Sequence, residues 1–323
     1  MDTNRSIPLI LAWEKAASFA LADMPRSPNR LHDRTSFFKY LSASTARLVL
    51  ENEKLRWSSP RLFNDPFDVP RELSFGISST EISEALARRF ASLIEHPPED
   101  TSDLGPEVSL MVDIVKQGVS PELRAEMIAA LNEPPETHQL TGGSMDELRD
   151  VWRSWIPDFR ILCLTESPAH SAMWFHYADQ YKGAVLEFNC DDDLDSAWLG
   201  AQPVTYPASK PEVFEADGWA KLLTMPRELA VKTMFHVSTY TKSPDWSYEN
   251  EWRITSFKRP NDTGLFTDYK FNPKELSAIY LGPLILPADK TSLIAVAAMY
   301  PHIRIFEVAI GMSRTFLFNE KYL

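Results

Sequence analysis

Hydrophobic and polar positions along this chain alternate in short bursts, and the period changes twice. Phe37-Phe-Lys-Tyr-Leu41 is a compact aromatic run that predicts a strand. Lys54-Leu-Arg-Trp-Ser58 alternates polar and apolar residues, as a half-buried strand does. Between them, Ser42 or Ser44 can cap a helix running to Asn52, with Leu48 on its buried side. Residues 60–70 read as irregular. From 78 to 156 the period becomes helical. Ser78 and Glu81 form a capping box, Ile82, Leu86, Phe90, Leu93 and Ile94 share one face, and Ser120-Pro121 opens a further helix with Leu123, Met127 and Leu131 on one side. Prolines and glycines at 97, 98, 105, 106, 142 and 143 break this stretch, and Met145–Trp155 is helical again. Strand signals return at Ile161–Leu164, Ala184–Phe188, Gln202–Tyr206, Glu251–Thr255, Ser277–Leu281, Ile303–Ile310 and Thr315–Phe318. Helices are expected over His170–Ala178, 211–236 and Asp289–Met299.

Short strands separated by unequal helical blocks lack the regular alternation of a doubly wound sheet. The expected class is α+β: a mixed, mainly antiparallel sheet core carrying a helical insertion at about 78–156. The expected organisation is an N-terminal helix or arm over 1–35 and a single α+β domain over 36–323. The apolar stretch Ile7–Ala22 is interrupted by Glu14 and Lys15 and falls short of the roughly 20 apolar residues of a membrane span.

Composition narrows the function classes. In 323 residues, 33 Lys and Arg face 45 Asp and Glu, a formal charge of −12, which disfavours non-specific nucleic-acid binding. Two cysteines, Cys163 and Cys190, provide neither a disulfide framework nor a four-cysteine zinc site, and the chain reads as a reduced, cytoplasmic protein with no membrane partner. Neither a glycine-rich dinucleotide fingerprint nor a P-loop occurs. The histidines are scattered, with only His170 and His176 close together, so no metal is expected.

Candidate chemistry gathers in four segments: Lys39-Tyr40, Phe63–Asp68, Met173–Gly183 and Trp246–Ile254. The sharpest feature is Glu249-x-Glu251. On a strand, residues two apart share one face with their Cβ atoms about 6.5–7 Å apart. Two carboxylates held this way repel, which raises the pKa of one of them. Such a pair suits chemistry at an acetal-like carbon, one carboxylate stabilising an oxocarbenium-like sugar and the other orienting or deprotonating an acceptor.

The order Lys39-Tyr40, a helix and strand, Asn64-Asp-Pro-Phe67, Cys163-Leu-Thr165, Met173-Trp-x-x-Tyr-Ala-x-x-x-Lys-Gly183 and Tyr248-Glu-x-Glu-Trp-Arg253 resembles the bacterial domain-of-unknown-function family 2971, from about Phe37 to Phe318. Thr165 and Tyr181 stand where that family often has Ser and His. The resemblance implies a setting among prophage and phage-defence genes, with an antitoxin or phage protein as a partner. More distantly the plan is similar to ADP-ribosyltransferases, which would make NAD the substrate and a protein or nucleic acid the acceptor. That likeness places Glu251 and Glu249 as catalytic residues. It places Lys39, Tyr40, Asn64, Asp65, Thr165, Trp174, His176, Tyr177 and Arg253 around the NAD, with rings stacking on nicotinamide and Lys39 or Arg253 pairing with pyrophosphate.

Each feature also has a structural reading. The two glutamates could pair with Arg253 and Lys258, Trp246, Tyr248, Trp252, Met173 and Trp174 could be core, and His176 could be a structural histidine. Asp65 or Asp68 could cap a turn. Two other functions compete: a metal-dependent nuclease or phosphoesterase using Asp65, Asp68, Glu249 and Glu251, and a non-catalytic interaction module whose insertion is the partner surface.

Overall fold

The computed structural model describes residues 26–73, 77–131, 146–147, 149–209 and 211–321. The helix or arm expected before residue 26 lies outside the described residues. The remaining chain is α+β, built on a ten-stranded mixed sheet in which β8 and β9 are the parallel neighbours.

Strand β1 (Ser36–Leu41) leads into α1 (Ala43–Asn52), capped by Ser42 and closed by left-handed Glu53, and then into β2 (Lys54–Ser58). Helices α2 (Ser79–Glu95), α3 (Pro106–Lys116), α4 (Pro121–Leu131) and α5 (149–155) follow before β3 (Phe159–Thr165). The Ser78–Glu81 capping box forms as expected. Next come α6 (Ser171–Tyr177), β4 (Ala184–Asn189) and the two-residue β5 (Gln202–Pro203). Helices α7 (Ala216–Thr224) and α8 (Arg227–Tyr240) precede β6 (Glu251–Phe257). The chain ends on β7 (Phe266–Lys270), β8 (Leu276–Leu281), α9 (Pro287–Ala297), β9 (Arg304–Ile310) and β10 (Phe316–Lys321).

Alternation sorts the side chains of β1 and β4 onto two faces. Phe37 and Leu186 join Leu50, Leu55 and Leu293 beneath α1 and α9, whereas Phe38 and Val185 join Trp174 and Tyr280 beneath α6. A further core, with Ile82, Trp152, Phe159, Trp219 and Met234, ties the helices between β2 and β3 to α7 and α8.

Several expectations change. Leu48 is 54% exposed because α1 buries the face carrying Ala46, Val49 and Leu50. Helix α4 buries no residue, so the Leu123 side is not a core face. The helix expected over 211–236 is divided by Pro226, which cannot donate a helical hydrogen bond, into α7 and α8. Gln202–Tyr206 contributes only β5 and an isolated bridge from Thr205 to Thr241. Strand β7 was not expected. It is an edge strand whose pairing with β2 is long-range.

The sheet is not continuous at its middle. Strand β1 pairs along its whole length with β4 but meets β3 at a single rung, Phe38 opposite Thr165. Strand β2 likewise pairs fully with β7 and meets β3 only at Ser58 opposite Ile161. Strand β3 instead runs its full length against β6. The strands therefore diverge on either side of β3 and open a cleft.

Candidate functional site

The cleft has a volume of about 210 Å³. Its walls come from the diverging strands, including Lys39 and Tyr40 of β1, Arg56 of β2, and Cys163 and Thr165 of β3. Phe63, Asn64 and Asp65 approach from the irregular loop, Tyr177 from α6, and Trp246, Glu249 and Glu251 from the late segment. Where the β1–β3 ladder stops, Lys39 Nζ donates to the carbonyl of Cys163 at 2.6 Å and satisfies it.

The two glutamates meet, but not as neighbours on a strand face. Glu249 is the last residue of the 3₁₀ helix Pro244–Glu249, Asn250 turns through φ 42°, and Glu251 opens β6. What draws the carboxylates together is Lys242. Its Nζ donates to Glu249 Oε2 at 2.6 Å and Glu251 Oε2 at 3.1 Å, and lies 3.6 Å from Asp68 Oδ2. Arg253 completes the cluster. It donates to Glu251 from Nε at 2.8 Å and to both Asp68 oxygens from Nη2 at 2.9 and 2.7 Å, while Nη1 takes the Thr239 carbonyl at 2.6 Å. Three carboxylates thus face two cations in a buried setting, leaving one carboxylate uncompensated.

This imbalance separates the acids. Burial alone would raise Glu251, but the Arg253 guanidinium overrides it and holds the carboxyl at about 2. Glu249 is raised, first by burial and then by the charge of Glu251, against the pull of Lys242. Asp68 is raised by burial, with Arg253 opposing and Glu251 adding to the rise. Burial works to lower the Lys242 ammonium, but Glu251, Glu249 and Asp68 together raise it. Tyr177 donates its hydroxyl to Glu249 Oε1 at 2.6 Å, and burial together with the Glu249 charge raises the phenol. Thr165 Oγ1 donates to the Glu249 carbonyl at 2.6 Å, and Glu251 N donates to Tyr206 Oη at 2.9 Å, so side chain and backbone are both fixed. The Cys163 thiol is pushed up by burial and the Glu251 charge, which removes it as a nucleophile.

Residues 173–254 match the model of a family described as a protein of unknown function (DUF2971). No curated protein and no solved structure matches the chain. The DUF2971 stretch runs from α6 to β6 and contains Tyr177, Lys242, Glu249, Glu251 and Arg253, while the walls from β1, β2 and β3 lie outside it. Within it, the Gly183 position is steric. A Cβ there would collide with the Leu41 carbonyl oxygen, because β1 and the turn after α6 approach backbone to backbone.

Among the expected site residues, Lys39, Tyr40, Asn64, Asp65, Thr165, Tyr177, Glu249 and Glu251 line the cleft. Three do not. Trp174 is wholly buried, donates its indole N–H to the Pro168 carbonyl at 2.7 Å and packs edge-on against Tyr40. His176 is exposed on the outer side of α6, against Tyr248. Arg253 is wholly buried behind the glutamates and cannot reach a pyrophosphate. Tyr40 forms part of the wall, but its hydroxyl is committed to the Ser167 carbonyl and the His170 amide. Asp65 accepts from the Phe67 amide at 2.8 Å, the turn cap anticipated for it. Lys258 pairs with Asp158 rather than with the glutamates. Lys242 and Tyr206 went unanticipated; nothing in the local pattern marks a single Lys between Thr241 and Ser243 as the hub of a carboxylate cluster.

Proposed function

We propose that the cleft is the active site of an NAD-consuming, ADP-ribosyltransferase-like enzyme in which Glu249, rather than Glu251, faces the reacting sugar. One observation carries the proposal: the cleft ends on a buried cluster of three carboxylates and two cations, in which Glu249 is the acid that pairs with no arginine. Nicotinamide in NAD is a cationic ring and departs neutral, so the donor gains from a negative cleft and its leaving group needs no proton. As the bond to ribose lengthens, positive charge moves onto the sugar. A fixed carboxylate stabilises that charge more strongly than it does the ground state. Glu251 is held by Arg253 and Lys242 and acts as a positioning residue for Glu249.

Phe63, Tyr177 and Trp246 offer rings at the cleft wall for stacking. At about 210 Å³ the cleft is smaller than the roughly 300–1,000 Å³ of whole-ligand pockets, so it takes the nicotinamide–ribose end and leaves the remaining nucleotide over the opening. A role as a toxin or effector in phage defence belongs to the same proposal and rests on the family resemblance.

The metal-dependent reading is weaker because the Lys242 ammonium occupies the centre of Asp68, Glu249 and Glu251, where a divalent cation would have to sit. The deciding experiment is mass-spectrometric detection of nicotinamide released from NAD by the wild type, Glu249→Gln and Glu251→Gln. Release that persists unchanged in Glu249→Gln would sink the proposal.

A further inference from the structure

The β2–β7 ladder carries a charge pattern beside the cleft that the fold does not neutralise. Lys54 stands opposite Lys270, Arg56 opposite Asp268 and Ser58 opposite Phe266. Cross-strand partners share one side of a sheet, as do residues two apart. All six side chains therefore lie on the side that brings Arg56 and Ser58 to the cleft. Leu55 and Trp57 point the other way, into the core. Three cations thus stand beside one acid, Asp268, in a chain whose net charge is −12. That acid is already engaged, accepting from Arg56 Nε at 3.0 Å and Nη2 at 3.3 Å. Lys54 and Lys270 are exposed and have no ion-pair partner among the described residues. Like charges directly opposite one another weaken a strand pair, and an anion seated between them removes that cost.

Arg56 is set for the same kind of ligand. Its guanidinium carbon lies 3.7 Å from the centre of the Phe266 ring, and Asp268 holds Nε and Nη2, which leaves Nη1 without a partner among the described residues. A guanidinium held in one plane loses little freedom when it donates to a phosphate. The other cations that line the cleft are spent, Lys39 on the Cys163 carbonyl and Lys242 on the carboxylates.

We propose that Arg56, Lys54 and Lys270 form a diphosphate subsite at the edge of the cleft. Resting on the reading above, the subsite holds the two phosphates of NAD while the nicotinamide–ribose end occupies the cleft. Arg56 lines the cleft, and Lys54 stands one strand period, about 6.5–7 Å, beyond it. Phosphates that follow the ribose outward meet the arginine first and the lysine pair next. Three cations match a compact diphosphate, whereas a nucleic-acid strand requires a longer row.

The test titrates the full chain with inorganic pyrophosphate by calorimetry, and with a poly-dT oligonucleotide as the rival probe. The proteins are the wild type, Arg56→Gln, Lys270→Gln and Lys270→Arg, all changed at exposed positions. The expected result is pyrophosphate binding by the wild type, weakened about tenfold in each Gln variant, as loss of a charge-assisted hydrogen bond does, and kept in Lys270→Arg. Absent pyrophosphate binding, or an affinity unchanged in both Gln variants, would overturn the subsite. So would poly-dT that binds more tightly than pyrophosphate and is lost in the same variants. A parallel assay of nicotinamide release measures the KM for NAD, expected to rise about tenfold in Arg56→Gln. A KM unchanged in that variant would overturn the assignment to NAD. If the wild type binds pyrophosphate through these residues but releases no nicotinamide, the enzymatic proposal fails and the diphosphate subsite stands.

Discussion

Tyr177 Oη and Glu249 Oε1 lie 2.6 Å apart, a bond between the end of α6 and the end of a 3₁₀ helix that no strand pairing brings together. Across this bond a phenol donates to the one acid of the cleft that pairs with neither arginine nor backbone amide. Replacing Tyr177 with Phe removes a hydrogen bond that favours the charged form of Glu249. The carboxyl then rises further, and the acid limb of the proposed nicotinamide release is expected to move to higher pH. Losing a hydrogen bond to a charged group costs about 1.5–3 kcal/mol, which corresponds to a fall in turnover of about tenfold to a hundredfold at acid pH. A pH–rate profile of Tyr177→Phe that overlays the wild type would refute this role.

Lys242→Met leaves three carboxylates sharing Arg253 alone. Removing one partner from a buried ionic cluster costs roughly 3–5 kcal/mol. Urea denaturation is expected to show a loss of that size. The double variant Lys242→Met/Glu249→Gln is expected to recover part of it, because one of the two carboxylates left uncompensated is gone. Strict additivity in that cycle would count against the electrostatic account.

The pKa shifts fix the sign of the pH dependence. Glu251 is held below its ordinary 4.5, so its contribution to stability is complete above that value and is lost as the pH falls toward about 2. Glu249 lies above 4.5, so its contribution is present at low pH and is lost as the pH rises through its raised value. Glu249→Gln does not titrate. Its urea midpoint is therefore expected to gain on the wild type as the pH rises above the ordinary 4.5. A gap that stays constant or shrinks over that range would show that Glu249 is not raised.

Gly183→Ala tests the close approach behind the cleft. The new methyl meets the backbone of Leu41 and Ala178, which cannot move aside as a side chain could. The expected destabilisation is at the upper end of the roughly 1–3 kcal/mol that overpacking costs, measured by thermal or urea unfolding.

Much of the fold was legible because it depends on local pattern. The alternation in Lys54–Ser58 marks β2 to the residue, and the Ser78–Glu81 capping box marks the start of α2. What escaped notice depends on distant partners. Strand β7 exists because β2 offers it an edge, and its own residues alternate too weakly to announce it. The cleft was legible as a set of residue types but not as a geometry. Glu249 and Glu251 were recognisable as a pair, yet strand periodicity gave the wrong reason for their meeting. Lys242 joins them through a bond that follows α8, and a left-handed residue intervenes between them. Trp174, His176 and Arg253 carried the right chemistry in the right segments, but which way each side chain faces depends on the packing of α6 and β6.

Lys39 clasps β3 at a place where two strands part company after one rung. Prising the two β blocks farther apart there breaks that ammonium–carbonyl contact, the single Phe38–Thr165 rung and the bonds of the Tyr40 hydroxyl, while the β1–β4 and β3–β6 ladders stay whole. The molecule thus has a buttonhole whose width is governed by a flexible four-carbon stem, so admitting a bulkier guest need not unzip the sheet.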